Sequence, residues 1–170
     1  MKTLITLSSI MAGSALILMA ASNLSMSDRE FAKAAASGGM EEVQLGQLAV
    51  QHASNTKVKD FGQRMVDDHT KTNDQLMSIA AKDNITLPTT MEAKDKSQYD
   101  RLSNLTGPAF DKAYMSNMVK DHEHDISAFE KEANSQDTDM KNFATNTLPT
   151  LREHLRLAKE AAQAVGAPVS

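Results

Sequence analysis

Apolar residues recur at steps of three and four along most of the sequence. This spacing places them on one face of an α-helix, so each such stretch predicts an amphipathic helix. Good helix formers dominate the composition, while Gly and Pro are few and localised. The pattern predicts four long helices at about 27–53, 54–83, 108–133 and 135–165, with a shorter helix at about 89–103 between the second and third.

Capping residues predict where these helices begin. Ser27 with Glu30, and Thr89 with Glu92, have the spacing of a capping box, in which two side chains satisfy the first free backbone N–H groups. The run 37–39, Ser-Gly-Gly, interrupts the helical pattern and predicts a break in the first helix.

Other residues predict where the helices end or bend. Asn84 is suited to closing the second helix, and Gly166 to ending the last. Pro149 lies inside the last helix and predicts a kink near 145–148, because proline removes a backbone donor and clashes with the preceding turn.

The lengths of the connections predict the topology. Two pairs of helices are joined by short turns, and the link between the pairs is long and contains its own helix. One long crossover with two short hairpins is the connectivity of ferritin-like bundles. The sequence therefore predicts an all-α, ferritin-like four-helix bundle.

The first 22 residues have the form of a signal peptide. Lys2 is followed by an apolar run over 4–19, and Ala20-Ala21-Ser22 has the small-residue pattern of a cleavage site. We expect a signal peptide at 1–22, a single bundle domain at 23–170 and an exported, most simply periplasmic, mature chain that does not span the membrane. The alternative is an uncleaved anchor, since the apolar run is at the short edge of what spans a bilayer.

Composition excludes several classes of function. The 170 residues carry a formal charge of -4 with both signs interleaved, so the sequence has no basic patch for nucleic acid. Cysteine is absent, which rules out a thiol nucleophile, a disulfide or a thiolate metal site. An envelope protein remains a candidate partner, and the oligomeric state is left open.

Three histidines lie on the apolar stripes of three different helices. They are His69, His122 and His154, each preceded directly by an acidic residue and each near the middle of its stripe. Imidazole is costly to place on a core-facing stripe unless it is used there. Central positions of neighbouring helices can converge in a bundle, so a metal or polar cluster is expected in its interior.

Neutral imidazole is a common metal ligand, and three histidines with one carboxylate suit Zn, Cu or Fe. Glu42 on the first helix is the candidate fourth ligand, and Glu41 and His52 are alternatives on the same helix. Met115 and Met118 share the His122 face and would suit a softer ion, although methionine more often fills gaps in a core. The alternative is a purely structural polar cluster that hydrogen-bonds to carboxylates or backbone.

The acids that precede the histidines are candidates for an outer layer of the site. An adjacent residue points about 100° away on the same helix, so Asp68 would orient a histidine of a neighbouring helix rather than its own. Asp121 and Glu153 are assigned the same role.

Enzymatic chemistry is weakly supported by the sequence. Di-iron bundle enzymes use Glu-x-x-His on two helices, and this chain contains no such motif. Sites for phosphate, dinucleotide or serine-nucleophile chemistry also lack their motifs. We therefore favour a non-enzymatic binding protein, with a structural envelope protein and a metal-dependent redox enzyme as alternatives.

Four segments carry a family resemblance. They are Ala35–Ala49, Phe61–His69, Tyr114–Phe129 and Leu148–Leu155, in that order. Together they resemble a bacterial exported domain-of-unknown-function family whose members are often described as predicted outer-membrane proteins. The resemblance implies a ferritin-like four-helix fold in the cell envelope and no particular activity.

Overall fold

The computed structural model describes residues 24–169, and the predicted signal peptide lies outside them. All regular structure in this range is α-helical. The helices are α1 (Met26–His52), α2 (Thr56–Lys82), α3 (Ala93–Ser103), α4 (Gly107–Glu132) and α5 (Thr138–Val165).

The four long helices form a bundle of two hairpins. The chain turns within three residues between α1 and α2, and within five between α4 and α5. Each hairpin pair packs along its length, and the two hairpins meet mainly through α1 with α4 and α2 with α5. The crossover between them carries α3, which lies against α1. The predicted all-α four-helix bundle with a helical crossover is confirmed.

The start of α1 corrects the predicted capping box. The helix is capped by Ser25, whose Oγ accepts from the Asp28 backbone N–H at 3.1 Å, while an Asp28 carboxylate oxygen accepts from the Ser25 N–H at 2.6 Å. The box therefore lies two residues before the predicted pair Ser27 and Glu30. Asp28 also accepts a hydrogen bond from Ser135 at 3.0 Å, a tertiary contact that favours this earlier start.

The start of α3 also differs from the prediction, because a tertiary contact outweighs the local motif. The helix begins at Ala93 rather than at the capping box of Thr89. The Ser37 hydroxyl of α1 accepts from the Glu92 backbone N–H at 2.7 Å and donates to Asp95 at 2.5 Å. These bonds fix the first turn of α3 against α1.

The predicted break at 37–39 was wrong, since α1 is continuous through it. A Cβ built on Gly39 would lie 2.0 Å from Oδ1 of Asn73 in α2. Glycine at this position therefore allows α2 to approach α1 closely. Packing between the two helices compensates for the low helix propensity of glycine.

A second close approach lies further along the same hairpin. A Cβ on Gly46 would be 2.6 Å from the backbone oxygen of Gly62, and a Cβ on Gly62 would be 2.5 Å from the Cβ of Ala49. Gly38, in contrast, faces open space, with nothing within 4 Å of its would-be Cβ.

The ends of the helices follow the sequence more closely. Asn84 has a left-handed φ of 53° and closes α2, and Gly166 at φ 66° caps α5. Pro149 lies inside α5, which continues as one helix from Thr138 to Val165. The kink at Pro149 stays a prediction.

The apolar interior consists of two clusters. One surrounds Leu45, Phe61 and Tyr114, and the other surrounds Leu76, Phe129 and Phe143. The buried polar residues Glu42, His69, His122 and His154 belong to neither cluster. On its helix, each of these residues lies between residues of one cluster and residues of the other. Together they form a polar layer between the two apolar halves of the bundle.

Substituting the glycines of α1 and α2 tests this packing. We expect Gly62→Ala to lower the free energy of unfolding by about 1–3 kcal/mol, because its methyl group overlaps Ala49 and the backbone of Gly46. Gly38→Ala, with open space at its Cβ, is the matched control and should raise it by up to about 1 kcal/mol through helix propensity. Urea unfolding measures both, and equal effects would contradict the close approach.

Candidate metal centre

The structure brings His69, His122 and His154 together in the interior. They come from α2, α4 and α5, and all are at most 6 % exposed. One ring nitrogen of each lies within 4.8 Å of the other two, and the ring centroids are 5.3–5.9 Å apart. The predicted convergence of these side chains is what the geometry shows.

Hydrogen bonds on the far side of two rings select their tautomers. His122 donates from Nδ1 to the Met118 carbonyl oxygen at 2.8 Å, which leaves Nε2 with a free lone pair. Nε2 of His154 lies 3.0 Å from a carboxylate oxygen of Asp68, so it carries the proton and Nδ1 is free.

Each histidine keeps one buried nitrogen without a partner in the described part of the chain. These atoms are Nε2 of His69, Nε2 of His122 and Nδ1 of His154. A buried acceptor with no donor costs free energy, so three of them side by side need a physical reason.

Burial keeps the three rings neutral. Desolvation, together with the neighbouring His154, lowers the pKa of His122 to about 3, against the opposing effect of the hydrogen bond to Met118. Desolvation, with the other two rings, lowers the pKa of His69 well below its ordinary value. It also lowers the pKa of His154, against the opposing effect of Asp68. Neutral imidazole is the form that binds metals, so protons do not compete near neutral pH.

Glu42 lies beside this group rather than within it. One of its carboxylate oxygens is 3.9 Å from Nδ1 of His122, the nitrogen that already donates to Met118. Burial and the surrounding acids raise the pKa of Glu42 well above its ordinary value. The structure thus places Glu42 beside His122 and outside the group of converging ligand atoms, and its role as a fourth ligand stays a prediction.

The three acids assigned to the outer layer differ in position. Asp68 holds His154 on the neighbouring helix, as expected from helix geometry. Burial acts to raise the pKa of Asp68, but the hydrogen bond from His154 and the nearby positive charges outweigh it and lower the pKa.

The other two acids do not take the predicted role. Asp121 accepts a hydrogen bond from Gln98 of the crossover helix at 2.7 Å, on the side of α4 that faces α3. Glu153 lies at the surface and pairs with Arg156 at 2.7 Å. Both positions follow from helix geometry. Successive residues of an α-helix point about 100° apart, so each acid points away from the histidine next to it.

The sequence interpretation named Glu41 only as an alternative ligand and did not predict that it would lie among other buried acids next to the histidines. Glu41 and Asp95 are less than 10 % exposed, and burial, with the charge of Asp121, raises the pKa of Asp125 to about 7. Asp95 reaches this region only because α3 folds onto α1. Local helix patterns carry no signal for that long-range contact.

Comparisons with known proteins agree with this fold. Residues 14–161 match the family described as Domain of unknown function (DUF4142). The chain belongs to this family. The predicted resemblance to a domain-of-unknown-function family is thereby confirmed, while the outer-membrane description is not. The comparison with curated proteins gave no match.

Two solved structures resemble this DUF4142 protein. A DUF305 fragment from Deinococcus radiodurans has a TM-score of 0.71 at 9 % identity, covering 84 % of this chain and 97 % of that one. A protein from Streptomyces coelicolor, described as "putative secreted protein DUF305", has a TM-score of 0.70 at 13 % identity, covering 85 % and 95 %. At these identities the likeness concerns the fold.

In the described part of the DUF4142 chain, 24–169, no helix has both the length and the apolar character that crossing a membrane requires.

The buried acids predict a pH dependence of stability. Burial, with the charges of Asp95 and Asp121, raises the pKa of Glu41 from 4.5 to about 8. Between these values the folded state holds a proton that the unfolded state has lost, so stability falls as pH rises through this window. Glu41→Gln removes this loss. Its stability relative to wild type should therefore be roughly 1–3 kcal/mol more favourable at about pH 7.5 than at about pH 5.

Urea unfolding in EDTA at the two pH values measures this difference. Glu30→Gln, at an exposed glutamate of the same helix, is the control and should show no pH-dependent difference from wild type. Parallel pH profiles for wild type and Glu41→Gln would contradict a proton held on Glu41.

Proposed function

We propose that this protein is an exported, non-enzymatic binding protein that holds one divalent metal ion between His69, His122 and His154. The observations that carry the proposal are that one ring nitrogen of each histidine lies within 4.8 Å of the other two, and that each ring keeps one buried nitrogen without a hydrogen-bond partner. A metal ion would satisfy all three lone pairs at once.

The spacing of the nitrogens fits this interpretation. Zn–N bonds of about 2.0–2.1 Å place tetrahedral ligand atoms about 3.4 Å apart. Starting from 4.8 Å or less, the rings need to close by at most about 1.4 Å, which side-chain rotation supplies. Three neutral imidazoles suit Zn, Cu or Fe and leave a further coordination position open.

The hydrogen bonds behind the ligands support the same function. Metal-bound histidines commonly donate their second N–H to a carboxylate or a backbone carbonyl, which fixes the ring. His154 donates to Asp68 in this way, and His122 donates to the Met118 carbonyl. Glu42, next to His122, adds a buried carboxyl group that can offset the charge of a bound cation.

The second candidate function is a structural or interaction protein of the cell envelope. Here the histidine layer would only fix the register of the helices. The observation that favours it is the same pair of hydrogen bonds, since each satisfies one polar atom without a metal. A purely structural role does not explain why one buried nitrogen of each ring has no hydrogen-bond partner.

Separate observations support export and the absence of catalysis. The apolar segment before the bundle has the form of a signal peptide, and one structural neighbour is described as a "putative secreted protein". A redox enzyme is the third candidate, and the missing Glu-x-x-His pairs count against di-iron chemistry. We place the protein in the periplasm, as a single domain over 23–170.

Metal content tests the proposed centre. Protein purified without a histidine tag, stripped and then loaded, should bind one Zn, Cu or Fe ion per chain by elemental analysis and calorimetry. Metal at a hundredfold excess over Kd should stabilise the fold by about 2.7 kcal/mol. His122→Ala combined with His69→Ala should abolish both effects.

The exposed His124 provides a matched control on the same helix as His122. His124→Ala should bind metal as wild type does. If wild type binds no metal, or the double variant binds as tightly, the metal centre is rejected. Loss of stability in His122→Ala without any metal binding by wild type would favour the structural candidate.

A further inference from the structure

A cavity of about 350 Å³ lies inside the bundle next to the histidine layer. Residues from all five helices line it, and His69 is where it meets the proposed centre. The exposed lining residues are Ala34 of α1, Lys94 of α3 and His124 of α4, so the cavity opens to solvent between these three helices. This volume is far larger than a single metal ion and falls at the small end of the range for organic ligands.

The first wall of the cavity is acidic. Oε1 of Glu41 and Oε2 of Glu42 are buried without a hydrogen-bond partner in the described range, and both residues are at least 93 % buried. The remaining acids of this wall are Asp95, Asp121 and Asp125. Unsatisfied buried carboxyl oxygens favour a ligand that carries positive charge and hydrogen-bond donors.

The second wall is apolar and aromatic. The rings of Phe31 and Phe129 meet edge to face with centroids 4.9 Å apart, and Phe143 lies 5.7 Å from Phe129. All three line the cavity together with Leu76 and Leu151. Such a surface binds an apolar body, and aromatic faces also attract cations.

Small residues on α1 create this space. Ala34, Ala35, Gly38 and Gly39 line the cavity, and a Cβ on Gly38 would meet nothing within 4 Å. The run that resembled a helix break thus leaves room for a ligand between α1 and α4.

We propose that this cavity binds a small organic amine, with its ammonium group among the acidic side chains of the first wall and its apolar body against the three phenylalanines. The arrangement suits an amine better than a metal ion. In residues 24–169 the potential ligand atoms that converge within 4.8 Å are those of the histidines, whereas the acids are spread along a wall. This second function does not depend on the histidine centre.

Calorimetry with 2-phenylethylamine on metal-free protein in EDTA tests the proposal. For about nine non-hydrogen atoms we expect saturable 1:1 binding with a Kd between about 10 µM and 1 mM. The neutral isostere 2-phenylethanol should bind at least about tenfold more weakly because it lacks the charge, and the anion phenylacetate should not bind. Putrescine, with charge but little apolar body, should bind more weakly than the aryl amine.

Variants locate the site. Glu41→Gln and Asp125→Asn should each weaken 2-phenylethylamine binding about ten- to a hundredfold. Phe129→Leu should weaken the aryl amine more than putrescine. The control Glu30→Gln, at an exposed glutamate of α1, should bind as wild type does. A cooperative thermal melting curve for each variant establishes that it is folded.

Three results would overturn the proposal. The first is the absence of saturable amine binding at millimolar concentration. The second is equal affinity for the amine and the alcohol. The third is displacement of the amine by Mg²⁺ or Ca²⁺ with the same dependence on Glu41 and Asp125, which would assign the cavity to a metal ion. Because His154 does not line the cavity, His154→Ala should weaken metal binding and retain amine binding, so failure here is distinguishable from failure of the histidine centre.

Discussion

Removing three imidazole rings from water is the constraint on which the centre of this bundle depends. Each ring loses its hydration, and burial makes protonation of each ring unfavourable. Two of the rings recover one hydrogen bond, which His122 donates to the Met118 carbonyl and His154 donates to Asp68. One buried nitrogen of each ring has no partner, and this polar layer lies between the two apolar clusters.

The polar layer and the cavity follow from how the hairpins are built. Glycines at 39, 46 and 62 let α1 and α2 approach closely, which makes the first hairpin a thin, rigid unit. The same run of small residues leaves α1 without bulk where it faces α4. The crossover helix closes this side, because Ser37 binds both the backbone before α3 and Asp95 within it. The segment 38–39 of α1 therefore packs closely against α2 through Gly39 and leaves open space in the cavity at Gly38.

Much of the fold could be predicted from the sequence because helix periodicity is a local signal. The number of helices and the inward position of the three histidines follow from steps of three and four. The crossover follows from the lengths of the connections, and the stops at Asn84 and Gly166 follow from residues suited to a positive φ. The starts of α1 and α3 and the continuity at Ser37-Gly38-Gly39 were missed. In each case a partner far along the chain (Ser135, Ser37 or Asn73) decides the local conformation. The position of Asp95 in the acidic wall of the cavity was missed for the same reason, since it depends on the packing of α3 against α1.

The three histidines are divided between the two hairpins, and this has a consequence for folding. His69 belongs to the first hairpin, while His122 and His154 belong to the second. The three rings meet only after the two hairpins dock, and they come from positions far apart in the sequence, so we expect this layer to form late in folding. A cation bound there would link the two hairpins. Metal binding and the final stabilisation of the fold would then occur in a single step.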